Sequence, residues 1–291
     1  MRLTRTLVTG AGGMLGMDLV RVLSAAGQAF TALSRGRLDI TDAYAVAQAV
    51  RGHDVVINAA AWTDVDGAET DEIGAIAVNG IGVANLARAC CAGAGAVLLQ
   101  VSTDAVFDGA ATTPYAEDAP TCPANAYGRS KVLGERAVQA LLPERGYVVR
   151  TSWCYGKHGH HFARTILDIA AAHPADPIEV VYDQWGSPTW SKALAVRLAE
   201  LAGAALDHTA PPGIYHATAA GIATWYELAC AAFELAGFDP ARLVPVPLEQ
   251  HPRAAPQGRY NVLGHEGWTR AGLKPMAHWR DMLAKAFEEI R

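Results

Sequence analysis

A tyrosine and a lysine lie four positions apart, at Tyr127 and Lys131, in a segment with helical spacing. Residues four apart share one face of a helix, so the phenol and the ammonium would point the same way. Reduction of a ketone by hydride needs a proton for the developing alkoxide, and a free phenol with a pKa of about 10 releases its proton reluctantly near neutral pH. A neighbouring ammonium favours the phenolate and lowers that pKa. The spacing therefore predicts a proton donor, Tyr127, assisted by Lys131.

Two hydroxyl residues, Ser102 and Thr103, follow the apolar run 96–101 and precede Asp104. In an open parallel sheet, ligands bind beyond the carboxyl ends of the strands. A hydroxyl at the end of this run is therefore expected to complete the catalytic site.

The chain begins with an apolar run that leads into glycines at positions 10, 13 and 16. In this pattern Gly10 allows a sharp turn, Gly13 lets the backbone approach a pyrophosphate, and Gly16 lets the following helix pack close to the sheet. The free N–H groups at the start of that helix would face the anion. The motif predicts a dinucleotide site.

The end of the second predicted strand bears on which dinucleotide is preferred. Sites selective for NAD often place a carboxylate on the ribose hydroxyls there, but residues 34–37 of this chain read SRGR. Arg35 would pair with a 2′-phosphate, which favours NADPH over NADH, although a solvated arginine is the alternative interpretation. Asp39 would instead approach the adenine.

The composition excludes several classes of protein. The 291 residues are 51% apolar and 18% charged, and the net charge is −5. These values allow a sizeable core, argue against disorder and lack the basic footprint of a nucleic-acid binder. Neither a membrane span nor a signal peptide is expected. Five cysteines without a CxxC spacing indicate buried thiols in a reducing cytoplasm.

Short apolar runs alternate with helical patterns over the first 150 residues. The expected strands are 3–9, 30–33, 54–58, 96–101 and 147–150, and the expected helices are 14–26, 42–50, 72–91 and 126–141. Continuous apolar strands between helices predict a doubly wound parallel α/β sheet of the Rossmann type.

The rhythm loosens after residue 151. The expected helices are 162–172, 191–204, 224–236 and 276–290, the expected strands are 178–182 and 213–217, and prolines from 240 to 256 indicate loops. We expect a dinucleotide-binding domain over 1–154, to which 189–218 returns, and a smaller C-terminal α/β substrate lobe made of 155–188 and 219–291.

A series of motifs resembles the dTDP-4-dehydrorhamnose reductases, a branch of the extended short-chain dehydrogenase/reductases. In chain order the motifs are TGAGGMLG, LDITD, NAAAWTDVDGAE, VN, STDAVFDG, YGRSK, RTSWCYG, DQWGSPT and GIYHAT, and they span residues 9–218. The resemblance implies reduction of the 4-keto group of a dTDP-6-deoxyhexulose by NADPH or NADH.

The resemblance also implies roles for single residues. Tyr127 would donate the proton, Lys131 would be its partner, and Thr103 would be the third member of the triad. Thr103, Asp104 and Trp153 would bind the nucleotide-sugar. The cofactor would be held by Gly10, Gly12, Gly13, Met14 and Leu15, by Arg35, Asp39 and Ile40, by Ala61, Trp62 and Thr63, and by Val101, Ser102, Tyr127 and Lys131.

The chain departs from the family pattern at several positions. Ala105 replaces a tyrosine next to the triad, which would enlarge the sugar pocket unless the position faces away. His161 replaces an asparagine before Phe162. Gln257 and Asn261 stand where an arginine and a serine of the substrate lobe are usual. The substrate contacts of this lobe are therefore the part of the family pattern that carries over to this chain least securely.

We predict no metal site. The loop 157–161 reads KHGHH, but no cysteine or carboxylate ligand lies near it in the sequence. Some family members share a magnesium ion between acidic residues at a dimer interface. Asp18 would be one ligand here, but Lys192 stands where another acid is expected, so a homodimer is left open.

Three alternatives to a rhamnose-forming reductase remain. Ala105 and the altered C-terminal segment favour a related deoxysugar of secondary metabolism, such as a dihydrostreptose-type product. A non-catalytic regulatory subunit, like the beta subunit of methionine adenosyltransferase, would not need an intact Thr103, Tyr127 and Lys131. An epimerase or dehydratase would want more carboxylates beside the triad than Asp104.

Overall fold

The computed structural model describes residues 4–92 and 95–290. The strands are β1 Arg5–Thr9, β2 Ala29–Leu33, β3 Val55–Asn58, β4 Val97–Thr103, β5 Gly146–Thr151, β6 Cys154–Tyr155, β7 Ile178–Val181, β8 Trp185–Gly186, β9 Thr189–Trp190, β10 Gly213–His216, β11 Ala223–Thr224 and β12 Leu243–Val246. The α-helices are α1 Met14–Ala25, α2 Ala43–Val50, α3 Val65–Thr70, α4 Glu72–Ile76, α5 Val83–Ala92, α6 Ala126–Leu141, α7 Phe162–Ala172, α8 Ser191–Leu206, α9 Trp225–Ala236, α10 Glu266–Arg270 and α11 Trp279–Ile290.

Six parallel strands form the central sheet, in the order β10-β5-β4-β3-β1-β2. Side chains alternate between its two faces. Val8 and Ile57 belong to one apolar cluster, whereas Leu7 and Val56 belong to another on the opposite face. Helices therefore cover both faces, and the predicted doubly wound α/β sheet is confirmed. The strand order reverses at β1, which makes the crevice beyond β1 and β3 the expected ligand site.

The smaller sheets lie in the C-terminal half. β12 pairs with β7, β11 with β8, and β6 with β9, each as a two-stranded sheet. α7 and α9 pack against β7 in a separate apolar cluster around Phe233. β10 instead extends the central sheet beside β5, and α8 packs against α1.

One strand contradicts the sequence analysis. The prolines from 240 to 256 predicted loops, but β12 contains Pro245. β12 pairs only with β7, so it is an edge strand, and a proline without an N–H is tolerated on the free side of an edge.

The predicted helix over 72–91 is interrupted. Its central turn, Ala77–Gly82, is a π-helix that joins α4 to α5. Such turns arise where an α-helix carries an extra residue, and they are frequent at functional sites. Within the described part of the chain, Glu72–Ala92 is also the one helical stretch long and apolar enough to cross a bilayer, and 50% of its most apolar window is buried inside the fold.

Candidate active site

The turn between β1 and α1 requires glycine at two positions. Gly10 has a φ of +68°, and a Cβ there would lie 2.4 Å from the backbone nitrogen of Ala60. A Cβ on Gly16 would lie 2.2 Å from the carbonyl oxygen of Gly10. The glycines thus let the turn, the loop after β3 and α1 meet at van der Waals distance.

The start of α1 is open to an anion. Gly13 is the N-cap residue, and no side chain caps the first turn, so the first N–H groups are available to a ligand. A Cβ on Gly13 would meet nothing closer than 3.4 Å. Gly12 and Gly13 are exposed, and Met14 and Leu15 are half-buried. The turn therefore fits the pyrophosphate of a dinucleotide.

Arg35 and Asp39 lie beyond the end of β2, and both are exposed. The Asp39 carboxylate accepts hydrogen bonds from the Thr41 N–H at 2.9 Å and the Thr41 hydroxyl at 2.8 Å. These bonds, with a smaller contribution from the Arg35 charge, hold the pKa of Asp39 below its ordinary value. Ile40 is buried beside them. Contact of these three residues with a cofactor stays a prediction.

The π-helix ties the loop of Ala61, Trp62 and Thr63 to the catalytic helix. The backbone N–H of Trp62 donates to Asn79 Oδ1 at 2.9 Å. Asn79 Nδ2 donates to the Trp62 carbonyl at 3.1 Å and to Ser130 Oγ at 2.9 Å. Ser130 Oγ in turn donates to the Tyr127 carbonyl at 2.7 Å. Asn79 and Ser130 were missed as site residues, and their only signals were the motifs VN and YGRSK.

The structure brings the three predicted catalytic side chains together at the carboxyl end of β4. Thr103 closes β4, and Tyr127 and Lys131 lie on the first turns of α6. The Thr103 hydroxyl lies close enough to the Tyr127 phenol to lower its pKa. Lys131 Nζ donates to the carbonyl of Val101 at 2.7 Å. The phenol, the hydroxyl and the ammonium therefore line one site.

The acidity of Tyr127 differs from the sequence analysis. Burial raises the pKa of Tyr127 above its ordinary value, and the Thr103 hydroxyl offsets only part of this rise. The spacing of Tyr127 and Lys131 predicted a lowered pKa for the phenol. The direction is reversed because the ammonium is bound to the Val101 carbonyl and burial of the phenol outweighs the other effects. A neutral phenol is the form that donates a proton.

Burial lowers the pKa of Lys131 to about 8, and the Glu135 carboxylate opposes this change. The side chain is 4% exposed. Desolvation disfavours its charged form, and the neighbouring carboxylate restores part of it. Lys131 is therefore charged below pH 8 and loses its charge just above it.

Asp104 is a buried carboxyl next to the triad. Thr103 Oγ1 donates to Asp104 Oδ1 at 2.9 Å. Burial raises the pKa of Asp104 to about 7, against the effect of that hydrogen bond. Near neutral pH the carboxyl can therefore either donate or accept a hydrogen bond from a sugar hydroxyl.

Ser102 points away from the triad. Its Oγ donates to Glu135 Oε1 at 2.6 Å, and the other Glu135 oxygen pairs with Arg150 Nη2 at 2.7 Å. Ser102 and Arg150 are also neighbours in the register of β4 and β5. The predicted contact of Ser102 with the cofactor would therefore involve its backbone.

Trp153 is held in an unusual backbone conformation. Its φ is +44°, in a region that bulky residues rarely adopt. Its ring stacks on Trp225, with centroids 3.5 Å apart and planes 10° apart. A Cβ on Gly186 would come within 2.4 Å of the same ring. Trp225 Nε1 donates to Gln184 Oε1 at 2.8 Å, so the DQWGSPT segment supports Trp153 through Trp225.

Two positions that depart from the family pattern are Ala105 and His161. The first lies close to a catalytic residue, and the second lies at the start of a helix. The Ala105 N–H donates to Thr103 Oγ1 at 3.2 Å, and a Cβ on Gly128 would lie 2.1 Å from the Ala105 carbonyl oxygen. Position 105 thus lies between Thr103 and the first turn of α6. His161 is the N-cap of α7, and its Nδ1 accepts from the Arg164 N–H at 3.3 Å.

Asp18 and Lys192 are both engaged by neighbouring side chains. Ser191 Oγ donates to Asp18 at 2.5 Å, and Lys192 pairs with Glu289. Within residues 4–92 and 95–290, no group of three or more His, Cys, Asp and Glu side chains is arranged to hold a metal ion. The expectation that the protein holds no metal stays a prediction.

Comparison with known proteins agrees with this geometry. Residues 4–291 match the family described as RmlD substrate binding domain. The chain is 52% identical to the dTDP-4-dehydrorhamnose reductase of Streptomyces griseus, over 98% of this chain and 94% of that protein. It is 46% identical to the dTDP-4-keto-6-deoxy-D-glucose reductase of Streptomyces niveus, over 97% of this chain and 96% of that protein.

A solved structure has the same fold. The dTDP-4-dehydrorhamnose reductase of Bacillus anthracis strain Ames, in complex with NADP, superposes with a TM-score of 0.91 at 34% identity and covers 99% of each chain. The match over nearly the whole length in both sequence and fold confirms the predicted resemblance. The chain belongs to the RmlD substrate binding domain family, which it shares with the dTDP-4-dehydrorhamnose reductases.

Proposed function

We propose that the protein is an enzyme that reduces the 4-keto group of a dTDP-4-dehydro-6-deoxyhexose with NADPH. The observation that carries this proposal is the meeting of Thr103, Tyr127 and Lys131 at the end of β4, beside an open β1–α1 turn. The names of the relatives support the substrate class, and the relative in complex with NADP supports the cofactor. NADH is the alternative cofactor.

The chain's own residues would bind the cofactor at three places. NADPH, when bound, supplies the hydride. The N–H groups of residues 12, 14 and 15 would hold the pyrophosphate, because the start of α1 has no side-chain cap and the Gly13 N–H already donates to the Gly10 carbonyl. Arg35 would pair with the 2′-phosphate. Lys131, charged below pH 8, would hold the ribose of the nicotinamide.

Tyr127 would protonate the substrate oxygen. As the carbonyl oxygen gains negative charge, the neutral phenol gives up the proton on its Oη. The Thr103 hydroxyl would hydrogen-bond the same oxygen. The Lys131 ammonium would stabilise the phenolate that remains once it turns from the Val101 carbonyl toward the phenol. Asp104 and Trp153 would bind the nucleotide-sugar.

A related reductase of secondary metabolism is the second candidate. The backbone of Ala105 adjoins both Thr103 and the catalytic helix, and alanine carries a smaller side chain than the tyrosine of the family pattern. The relative in Streptomyces niveus is named for a 4-keto-6-deoxyglucose substrate. Rates with dTDP-4-dehydrorhamnose and dTDP-4-keto-6-deoxyglucose, compared as kcat/KM, distinguish the two candidates.

The proposed setting is the cytoplasm, without a nucleic-acid or membrane partner. The net charge of −5 supports the absence of a nucleic-acid partner, because a nucleic-acid site is built on positive charge. Whether the protein acts as a monomer or a homodimer is to be measured by sedimentation.

Loss of NADPH absorbance in the presence of a dTDP-4-keto-6-deoxyhexulose tests the activity. Tyr127→Phe is expected to lower kcat by roughly 10²–10⁴-fold, because it removes the proton donor, and to leave NADPH affinity within about threefold. Tyr182→Phe, on an exposed tyrosine, is the matched control. Equal rates for wild type and Tyr127→Phe would refute the proposal. A wild type that binds NADPH but turns over no keto-sugar would favour the regulatory-subunit alternative.

A further inference from the structure

A segment of the C-terminal half, residues 251–258, contacts two helices that adjoin the site. The Pro256 carbonyl accepts from Asn125 Nδ2 at 3.0 Å, and Asn125 is the N-cap of α6. Arg253 donates to Asp66 Oδ2 from Nη2 at 2.7 Å and from Nε at 3.1 Å, and Asp66 belongs to α3. The segment therefore contacts both the start of the catalytic helix and the helix that follows the cofactor loop.

The side-chain amide of Gln184 contacts the other side of this segment and has a single orientation. Its Oε1 accepts from Trp225 Nε1 at 2.8 Å, and its Nε2 donates to the Gly258 carbonyl at 2.9 Å. An indole N–H can only donate and a carbonyl can only accept, so these two partners fix which end of the amide is nitrogen. Gln184 therefore presents an N–H to the amide of Gln257, 3.0 Å away.

Gln257 lies between two hydrogen-bond donors. One end of its amide is 3.0 Å from Gln184 Nε2, and the other end is 3.1 Å from Arg253 Nη1 and 3.3 Å from Arg253 Nε. A side-chain amide has a single oxygen, so in either orientation its NH₂ group faces another donor. The three side chains together have more donors than acceptors.

We infer that Arg253 and Gln257 bind the diphosphate of the nucleotide-sugar, an inference that rests on the proposed function. An anionic oxygen supplies the acceptor that the donor cluster needs, and a guanidinium binds phosphate through parallel hydrogen bonds. The cluster lies between Asn125, two residues before the proton donor, and Trp225, on which Trp153 stacks. A diphosphate bound at this cluster would place the sugar attached to it in the active site.

Asp66 competes with the diphosphate for Arg253. The hydrogen bonds from Arg253 and from the Ala255 N–H hold the pKa of Asp66 below its ordinary value, so it is ionised at neutral pH. The Arg253 side chain is 52% exposed and that of Asp66 is 36% exposed. Exposed ion pairs are weak, and a diphosphate offers the guanidinium more negative charge than one carboxylate.

Calorimetric titration of the full chain with dTDP, dTMP and thymidine measures the contribution of the phosphates. Arg253→Gln is expected to weaken dTDP binding by about tenfold to hundredfold, the loss typical of a charge-assisted phosphate contact, and to leave thymidine binding unchanged. The charge-matched control is Arg197→Gln, which removes a surface arginine paired with Glu200 on α8. Unchanged dTDP affinity in Arg253→Gln overturns the inference.

Asp66→Asn separates a phosphate site from a simple ion pair between the lobes. If Arg253 binds phosphate, Asp66→Asn is expected to bind dTDP as tightly as wild type or more tightly, because the guanidinium is no longer shared. If Arg253 only ties the segment to α3, both substitutions weaken dTDP binding equally, and the inference is overturned.

Steady-state kinetics distinguish failure of this inference from failure of the proposed function. Arg253→Gln is expected to raise KM for the keto-sugar about tenfold or more and to leave kcat within about twofold, since the phosphate contact is remote from the reacting carbon. An active wild type whose KM is unchanged in the variant overturns the inference alone. A wild type that binds dTDP through Arg253 but reduces no dTDP-keto-sugar supports the inference and refutes the proposed function.

Discussion

Glu135 follows Lys131 by one turn of α6, and its carboxylate is the charge that keeps the buried lysine protonated. The same carboxylate accepts from Ser102 Oγ at 2.6 Å and pairs with Arg150 at 2.7 Å. Ser102 immediately precedes Thr103 on β4, and Arg150 lies beside Ser102 on β5. The charge of an active-site residue therefore depends on an ion pair that joins the catalytic helix to two strands of the sheet.

Glu135→Gln is expected to move the alkaline limb of the pH–rate profile to lower pH. In the wild type, we expect activity to fall as the pH rises through the pKa of Lys131, about 8. Removal of the carboxylate makes the ammonium less favourable, so the lysine loses its proton earlier. At pH 8 we expect the variant to retain roughly a tenth to a third of the wild-type rate. The measurement is kcat/KM from pH 6 to pH 9.5.

Glu117→Gln is the matched control for the pH profile. Glu117 is 4% exposed, and its carbonyl accepts from Arg150 at 3.3 Å, so it lies in the same buried network. It has no role in the pKa of Lys131. Its variant is expected to keep the wild-type limb. A limb unchanged in Glu135→Gln would contradict the assignment of the limb to Lys131. Thermal melts identify any variant that has lost its fold, because one half of a buried ion pair costs about 3–5 kcal/mol to remove.

Asp104→Asn is expected to stabilise the fold at neutral and alkaline pH but not at acid pH. Burial raises the pKa of Asp104 from 3.8 to about 7. The folded chain therefore holds this proton more tightly than the unfolded chain, and the carboxyl destabilises the fold increasingly as the pH rises from 4 through 7. The asparagine removes this cost, and we expect a gain of roughly 2–4 kcal/mol at pH 8. Urea unfolding at pH 4.5 and pH 8 measures it.

A gain of equal size at both pH values would mean that the ionisation of Asp104 is not the cause. We also expect Asp104→Asn to raise KM for the keto-sugar, because a polar residue that destabilises a fold is retained where it binds a ligand. Asp108→Asn is the control, since Asp108 is exposed and hydrogen bonds from the Ala110 N–H and the Tyr115 hydroxyl hold its pKa below the ordinary value.

The parallel sheet and the catalytic pair were predictable because local patterns specify them. Continuous apolar runs predicted the strands of the central sheet, and the spacing of Tyr127 and Lys131 placed both side chains on one face of α6. The apolar stretch 72–91 predicted an uninterrupted helix. It did not predict the π-turn at Asn79, because the extra residue is accommodated through contacts with Trp62 and Ser130, which are distant in the sequence.

The direction of the Tyr127 pKa was not predictable from spacing. An ammonium four residues away lowers the pKa only if it faces the phenol, whereas Lys131 binds the Val101 carbonyl of a neighbouring strand. Burial of the phenol is a tertiary property, and it sets the direction here. The conflict of donors around Gln257 is likewise invisible in the sequence, since Gln184, Arg253 and Gln257 meet only in the fold.

Thr103→Val is expected to lower kcat by roughly 10²-fold and to change KM little. The substitution keeps the shape of the side chain but removes the hydrogen bond to Asp104 and the effect of the hydroxyl on the Tyr127 phenol. Thr103→Ser retains the hydroxyl and is expected to remain within about fivefold of the wild-type kcat. Stopped-flow turnover with saturating NADPH measures the step. If Thr103→Ser is as impaired as Thr103→Val, the hydroxyl alone does not account for the role of Thr103.

Arg35→Ala is expected to raise KM for NADPH by about tenfold to hundredfold and KM for NADH by less than about twofold. The guanidinium would contact only the 2′-phosphate, a group that NADH does not have. Arg37→Ala is the matched control, because Arg37 is also exposed and lies two residues further from β2. Similar changes for both cofactors would refute the assignment of the 2′-phosphate to Arg35.

Trp225→Leu is expected to raise KM for the keto-sugar about tenfold with a smaller change in kcat. Trp153 has a φ of +44°, which typically costs about 1–3 kcal/mol, and the stack on Trp225 at 3.5 Å helps to hold it there. Without the stack we expect the Trp153 ring to sample other positions. Trp225→Phe keeps an aromatic face but loses the hydrogen bond to Gln184. Its KM is expected to lie between those of the wild type and Trp225→Leu. Near-ultraviolet circular dichroism reports the coupling of the two indoles. A variant that loses this signal but keeps the wild-type KM would show that the position of Trp153 does not limit substrate binding.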